Sequence, residues 1–229
     1  GMLTVQGGST GTHNFAQIVS SANPTIIASG ITLQGGTGIS SNFARILRSG
    51  GAANQTISAS SITITGGAVG SSNFARIEND GSGVQTISGS PVITLTGGTG
   101  GAPDLGNFAQ IRSFGSQVIT AGNTTLTAGA SGFNNNAIIS SPVQVITVGG
   151  DLTLTGGGSV SSALTAGPAR IGGLAPSAGT PSPTNLLLTV SGNVNMTGGT
   201  AANSGSVIGS NFLGGERTDI TMNVGGSLT

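Results

Sequence analysis

The side chains able to do acid–base or metal chemistry are few enough to take one at a time. The carboxylates are Glu78, Asp80, Asp104, Asp151, Glu216 and Asp219, the only imidazole is that of His13, and cysteine is absent. A pair of carboxylates flanking a bond is the minimum for glycoside hydrolysis, one as acid and the other as base or nucleophile. Two pairs lie close in sequence, Glu78 with Asp80 and Glu216 with Asp219. The first sits in ENDGSG, residues 78–83, which reads more simply as a polar turn. Any His-dependent triad or metal centre would have to use His13, whose neighbours suggest a surface turn. No metal or cofactor site is expected, and the chain is read as non-enzymatic.

A different kind of chemistry, recognition by a repeated surface, has better support. Four of the seven phenylalanines, Phe15, Phe43, Phe74 and Phe108, occur in copies of one phrase: NFAQI at 14–18 and 107–111, NFARI at 42–46 and 73–77. Arg45 and Arg76 accompany them. Threonines recur as Thr-x-Thr at Thr63/Thr65, Thr94/Thr96, Thr125/Thr127 and Thr153/Thr155. Aromatic rings flanked by guanidiniums suit a protein or sugar partner, and a flat double file of threonines suits an ordered water lattice.

Both sets belong to an internal repeat. Starts of the phrase LTVQGG, ITLQGG, ITITGG, ITLTGG, TTLTAG, LTLTGG and VNMTGG fall at residues 3, 31, 62, 93, 124, 152 and 194. Each unit reads as an alternating apolar/Thr strand, a Gly-Gly corner with a small-residue loop, the NFARI strand, a polar turn and a third strand such as QTISAS or QVITVG. No helical periodicity is present. Three short strands cannot bury a core alone, so units of roughly 31 residues must stack. The expected fold is all-β: a right-handed parallel β-helix (β-solenoid) of about seven rungs, three strands per rung, rising about 4.8 Å each. Residues 1–229 form one solenoid segment, with a Pro/Gly/Ser-rich stretch at 172–184 looping out and charges gathered in GGERTDI, 214–220.

Aligned columns predict which side chains face inward. Ala16, Ala44, Ala75, Ala109, Ala137 and Ala169 fill one column of the NFARI strand, and Ile18, Ile46, Ile77, Ile111, Ile139 and Ile171 another. Unvarying apolar columns belong inside. Strand alternation then sends the phenylalanines and the column Gln17, Arg45, Arg76, Gln110, Ile138 and Arg170 outward. The ring file is roofed by the preceding loop as a satellite cluster, left as a contact stripe, or redirected by a bulge that reverses the register. Asn14, Asn42, Asn73, Asn107 and Asn135 are expected to bond one another along the rod axis. The threonine files should face solvent, broken at Gln6, Gln34 and Asn195.

Composition removes other classes. Six arginines balance six acids and there is no lysine, so nucleic-acid binding is disfavoured. No apolar run approaches the length of a membrane span, and residues 1–30 lack the features of a signal peptide.

The stretches QVITVGGDLTLTGGG, 144–158, and LLLTVSGNVNMTGGT, 186–200, resemble filamentous-haemagglutinin-type exoproteins of Gram-negative bacteria and related autotransporter passengers. The resemblance is one of repeat style and covers nearly the whole chain. It implies an adhesin stalk, secreted or held on the outer cell surface and exported through an outer-membrane transporter, as in two-partner secretion. Expected partners are a host or cell-surface protein or glycan. The chain begins and ends in phase with the repeat, as a piece of a longer rod would, with strand edges open to end-to-end self-association. The alternatives are a specific binder, of ice through the Thr-x-Thr files or of glycan through the Phe/Arg face, and more remotely a polysaccharide-acting enzyme.

Overall fold

A computed structural model describes residues 1–102, 105–158, 169–174, 184–209 and 218–229. The described residues are all β, without a helix, and their strands lie in three parallel seven-stranded sheets. The first sheet runs β1 (Met2–Gln6), β4 (Gly30–Gln34), β7 (Ser61–Thr65), β10 (Val92–Thr96), β13 (Thr124–Thr127), β16 (Leu152–Thr155) and β19 (Val194–Thr197). The second, built from the NFARI phrases, runs β2 (Ala16–Ser20), β5 (Ala44–Ser49), β8 (Ala75–Asp80), β11 (Ala109–Ser113), β14 (Ala137–Ser140), β17 (Ala169–Gly172) and β20 (Ser206–Ile208). The third runs β3 (Thr25–Ile27), β6 (Gln55–Ser58), β9 (Val84–Ser88), β12 (Ser116–Ala121), β15 (Val143–Val148), β18 (Thr184–Val190) and β21 (Thr218–Val224). Every third strand pairs, so the chain is a parallel β-solenoid, as the repeat predicts.

Register keeps the columns intact. Ala44 lies beside Ala75, Ala75 beside Ala109, and Ile46 beside Ile77 beside Ile111, all fully enclosed. From the first sheet Ile31, Ile62, Ile93, Leu33, Ile64 and Leu95 meet them, and Ile57, Ile87, Ile119 and Ile146 close the third side. Each such side chain contributes about 1.5–3 kcal/mol by leaving water.

The Gly-Gly pairs have a steric cause that the repeat alone does not show. A Cβ on Gly35 would stand 2.0 Å from the Asn73 carbonyl oxygen, and one on Gly66 1.9 Å from that of Asn107. The second glycine of the pair donates its N–H to the asparagine carbonyl of its own rung at Gly8, Gly36, Gly67 and Gly98, as from Gly67 to Asn73 at 2.7 Å. The corner therefore packs backbone on backbone.

The asparagine column is a ladder, but not of the expected kind. Each side-chain Oδ1 accepts the backbone N–H of the asparagine one rung below, as from Asn42 to Asn73 at 2.8 Å and from Asn73 to Asn107 at 2.8 Å. Nδ2 turns to loop carbonyls instead, Asn73 donating to Gly38 and Val69 at 2.7 Å. Backbone N–H groups at the turn have no strand partner, and the amide satisfies them better than it would another amide. The residue before the asparagine is left-handed at His13, Ser41, Ser72 and Asn134. His13 is thus an exposed turn residue, as expected.

A second ladder went unread in the sequence. Gln55, Gln85, Gln117 and Gln144 point inward from the third sheet, and each Nε2 donates to the Oε1 one rung below: 2.7 Å from Gln85 to Gln55, 2.6 Å from Gln117 to Gln85, 2.8 Å from Gln144 to Gln117. The file stops at Leu186, in register with Gln144, leaving the Gln144 Oε1 buried with no donor. A glutamine at 186 would supply that donor and move the open acceptor up beside the exposed Ile220. Leu186→Gln is therefore expected to stay within about 1 kcal/mol of the parent. Leu188→Gln, equally buried two residues on, should lose about 2 kcal/mol or more. Urea midpoints decide, and equal losses would exclude the ladder's role.

Candidate functional site: the phenylalanine–arginine face

On the outer side of the second sheet the four phenylalanines form one stack. Ring centroids are 4.7 Å apart from Phe15 to Phe43 and 4.8 Å for each step to Phe74 and Phe108, with planes within 1°, 1° and 5° of parallel. The spacing is the rung rise, so the sheet imposes it. Phe43, Phe74 and Phe108 are half-buried and Phe15 is 48% exposed. The stack is thus neither roofed as a satellite cluster nor bare.

Face-to-face rings set like quadrupoles against one another, and arginines offset this. The Arg76 guanidinium carbon lies 4.6 Å from the Phe74 centroid and 5.3 Å from that of Phe108, and the Arg45 carbon 5.2 Å from Phe43. Arg112, which the sequence reading did not single out, covers Phe114 at 4.4 Å.

These three arginines converge on one acid. Glu78 is 3% exposed, and its carboxylate meets the Nη2 of Arg112, the Nε of Arg76 at 3.3 Å and the Nη1 of Arg45 at 3.9 Å. Arg112 Nε also donates to Glu78 Oε1 at 3.1 Å, and Arg45 donates to Gln17 Oε1 at 2.8 Å. Burial lowers the Arg76 guanidinium from its ordinary range to about 10, opposed by Glu78 and reinforced by Arg112 and Arg45. It stays charged at neutral pH. The placement of Glu78 in a turn is corrected: it is a strand residue of β8, in register with Leu47 below and Arg112 above. Asp80 ends the same strand exposed, so the two acids differ in setting. Although the whole chain is neutral, this face carries a local surplus of positive charge.

Beyond Phe108 the column changes to Asn136, and a cavity of about 150 Å³ opens there. Arg76, Phe108, Gln110, Arg112, Asn136, Ile138 and Arg170 line it. Ile138 and Arg170, outward by alternation, are nonetheless buried, and Arg170 donates from Nη1 to the Gly173 carbonyl.

On the first sheet the threonines stand where predicted. Thr63, Thr94, Thr125 and Thr153 are in register, extended downward by Thr32 and Thr4 and ended by Asn195. Beside them Thr65, Thr96, Thr127 and Thr155 continue to Thr197, with Gln34 and Gln6 below. The eight candidate threonines are all half-exposed.

No protein-family model, curated protein or solved structure matches this chain. Of the remaining acids, the two described ones lie apart from the phenylalanine–arginine face. Asp151 sits in a turn ladder, its N–H donating to Asn123 Oδ1 at 3.0 Å and its own Oδ1 accepting from the Asn193 N–H at 2.7 Å. Asp219 lies in β21. Asp104, Pro168, Glu216, residues 175–183 of the looped-out stretch and 214–217 of GGERTDI lie outside the described residues.

A buried arginine also escaped the sequence reading. Arg48 is wholly enclosed at the end of β5, donating to the Gly51 carbonyl at 3.0 Å and to Asn79 Oδ1 at 3.3 Å. Its position in the inward column between Ser20 and Asn79 is the signal that could have found it.

Proposed function

We propose that the chain is a non-enzymatic structural and adhesive segment of a secreted or cell-surface bacterial exoprotein, a stalk of the filamentous-haemagglutinin kind. The observation that carries this reading is the half-exposed phenylalanine stack with arginines laid over it, held at one rise per rung. Aromatic and guanidinium groups in a continuous file are the composition of a contact surface, and the hydrogen-bonded sheets beneath keep it rigid without disulfides. Export through an outer-membrane transporter, and a host protein or glycan as partner, belong to the same proposal.

Binding to a panel of matrix proteins and glycans tests it, with the variant Phe43→Ser/Phe74→Ser as comparison. Loss of about tenfold or more in affinity is expected in the variant, equivalent to about 1.4 kcal/mol. A panel bound equally by both versions would refute the contact stripe.

Ice binding is the second reading, favoured by the in-register threonine files. Its test is thermal hysteresis of the chain against Thr63→Ala/Thr65→Ala/Thr94→Ala/Thr96→Ala. Absence of hysteresis in the parent would end it.

A further inference from the structure

The phenylalanine stack ends at Phe108, above which the described residues place no further ring. Each ring from Phe15 to Phe74 has another ring on its upper face, but the column next to Phe108 holds Asn136. The shorter side chain leaves the cavity of about 150 Å³, about the size that accepts a single six-membered ring.

Its walls differ in chemistry. Phe108 offers a flat apolar face and Ile138 an apolar edge, while Gln110 brings an amide able to donate and to accept, and the buried Asn136 amide is already engaged. Arg76, in register with Gln110, Arg112, two residues beyond Gln110, and Arg170, in register with Ile138, also line the cavity. Three guanidiniums, those of Arg45, Arg76 and Arg112, share the single carboxylate of Glu78, and Asp80, further along β8, offsets only part of the remainder. A guanidinium has five donors, and Glu78 occupies few of them. The site therefore presents an aromatic platform, a hydroxyl-binding amide and planar donors for an anion.

We infer that this cleft holds one hexuronate residue of an acidic polysaccharide, its C–H face on Phe108, its carboxylate toward Arg76 and Arg112, and its hydroxyls on Gln110. A flat aromatic takes the C–H face of a pyranose, and a planar carboxylate matches the guanidinium fork as a point charge does not. Arg76 is partly desolvated, so an added negative charge gains more from it than from an arginine in bulk water. The inference deepens the adhesive reading by naming the class of sugar. It rests on that reading only for its setting outside the cell.

The test is calorimetric titration of the chain with α-1,4-linked oligogalacturonate, with its methyl ester and with dextran sulfate. Methyl esterification removes the charge and keeps the ring, and it should weaken binding about tenfold or more. Asn136→Phe continues the ring stack into the cleft with a side chain that four lower rungs already accommodate. It should weaken binding by at least about tenfold in the folded protein, with the urea midpoint reporting the separate cost of replacing a buried, partnered amide. Gln110→Ala, should Asn136→Phe fail to fold, keeps the scaffold and removes one amide, and it should weaken binding severalfold. Val145→Ser, exposed on the third sheet, should bind as the parent does.

Equal affinity for acid and ester would overturn the inference. So would unchanged affinity in folded Asn136→Phe, or binding of dextran sulfate as tight as that of oligogalacturonate and indifferent to residue 136, which marks diffuse charge attraction. Failure of the adhesive reading looks different: oligogalacturonate binds in the calorimeter, while the chain fails to attach to uronate-bearing cell surfaces.

Discussion

Glu78→Gln is expected to lower the unfolding free energy by about 3 kcal/mol, read as a fall in the urea midpoint with an unchanged m-value. The substitution keeps size and shape and removes one charge. Three guanidiniums packed among the Phe43, Phe74 and Phe114 rings then lose their common counter-ion. Breaking a buried pair leaves an uncompensated charge and typically costs about 3–5 kcal/mol. The lower figure applies here because the arginine side chains are 12–25% exposed and water takes over part of the screening. Asp80→Asn, at the exposed end of the same strand, should shift the midpoint by less than about 0.5 kcal/mol. The double variant Glu78→Gln/Arg112→Gln should lose less than the sum of the singles, since the second change removes a charge that the first has stranded. An unchanged midpoint in Glu78→Gln would show that the arginines are solvated well enough to stand alone.

The cluster also shows where columns stop being legible in sequence. Alternation and apolar monotony along Ala44–Ala75–Ala109 and Ile46–Ile77–Ile111 specify the solenoid, its three sheets and its inward faces, because a one-residue slip would expose every buried side chain. The same alternation places the Phe, Arg and Thr files outward, where the structure has them. The repeat weakens after the fifth residue of the NFARI strand, and there the columns hold Val19, Leu47, Glu78 and Arg112. Nothing in that series repeats, so periodicity is silent, although Glu78 and Arg112 stand one rung apart and opposite in charge. The turn-like composition of ENDGSG then hides a strand that runs to Asp80.

The inward glutamines are harder to read for a different reason. Gln55, Gln85, Gln117 and Gln144 repeat faithfully, but glutamine is ordinarily a surface residue. Only stacking at one rung's rise lets each amide satisfy the next and makes burial tolerable. The change from Phe108 to Asn136 is legible in the column, but the cavity above Phe108 is not, because it depends on the size of what surrounds the missing ring.

Gly66→Ala should be among the most damaging single substitutions in the rod, lowering stability by about 3 kcal/mol or more. Its Cβ would stand 1.9 Å from the Asn107 carbonyl oxygen, 2.6 Å from the Gly98 nitrogen and 2.7 Å from the Asn107 carbonyl carbon, all backbone of the rung above. A side chain could swing aside, but backbone held by sheet hydrogen bonds cannot. The rungs are fastened beside the corner, with the Gly66 N–H donating to the Thr96 carbonyl at 2.9 Å. Gly198 is the equivalent glycine of the seventh rung, and a Cβ there meets nothing within 4 Å. Gly198→Ala should be neutral or gain up to about 1 kcal/mol by restricting the unfolded chain. One substitution at two equivalent corners thus separates steric contact from helix or strand propensity, and equal effects would disprove the steric cause. The same change reaches the outer face. Asn107 precedes Phe108, so rungs wedged apart at Gly66 must lengthen the 4.8 Å step from Phe74 to Phe108. That would draw the Phe108 platform away from Arg76, 5.3 Å from its centroid, and weaken ligand binding even in the fraction that remains folded.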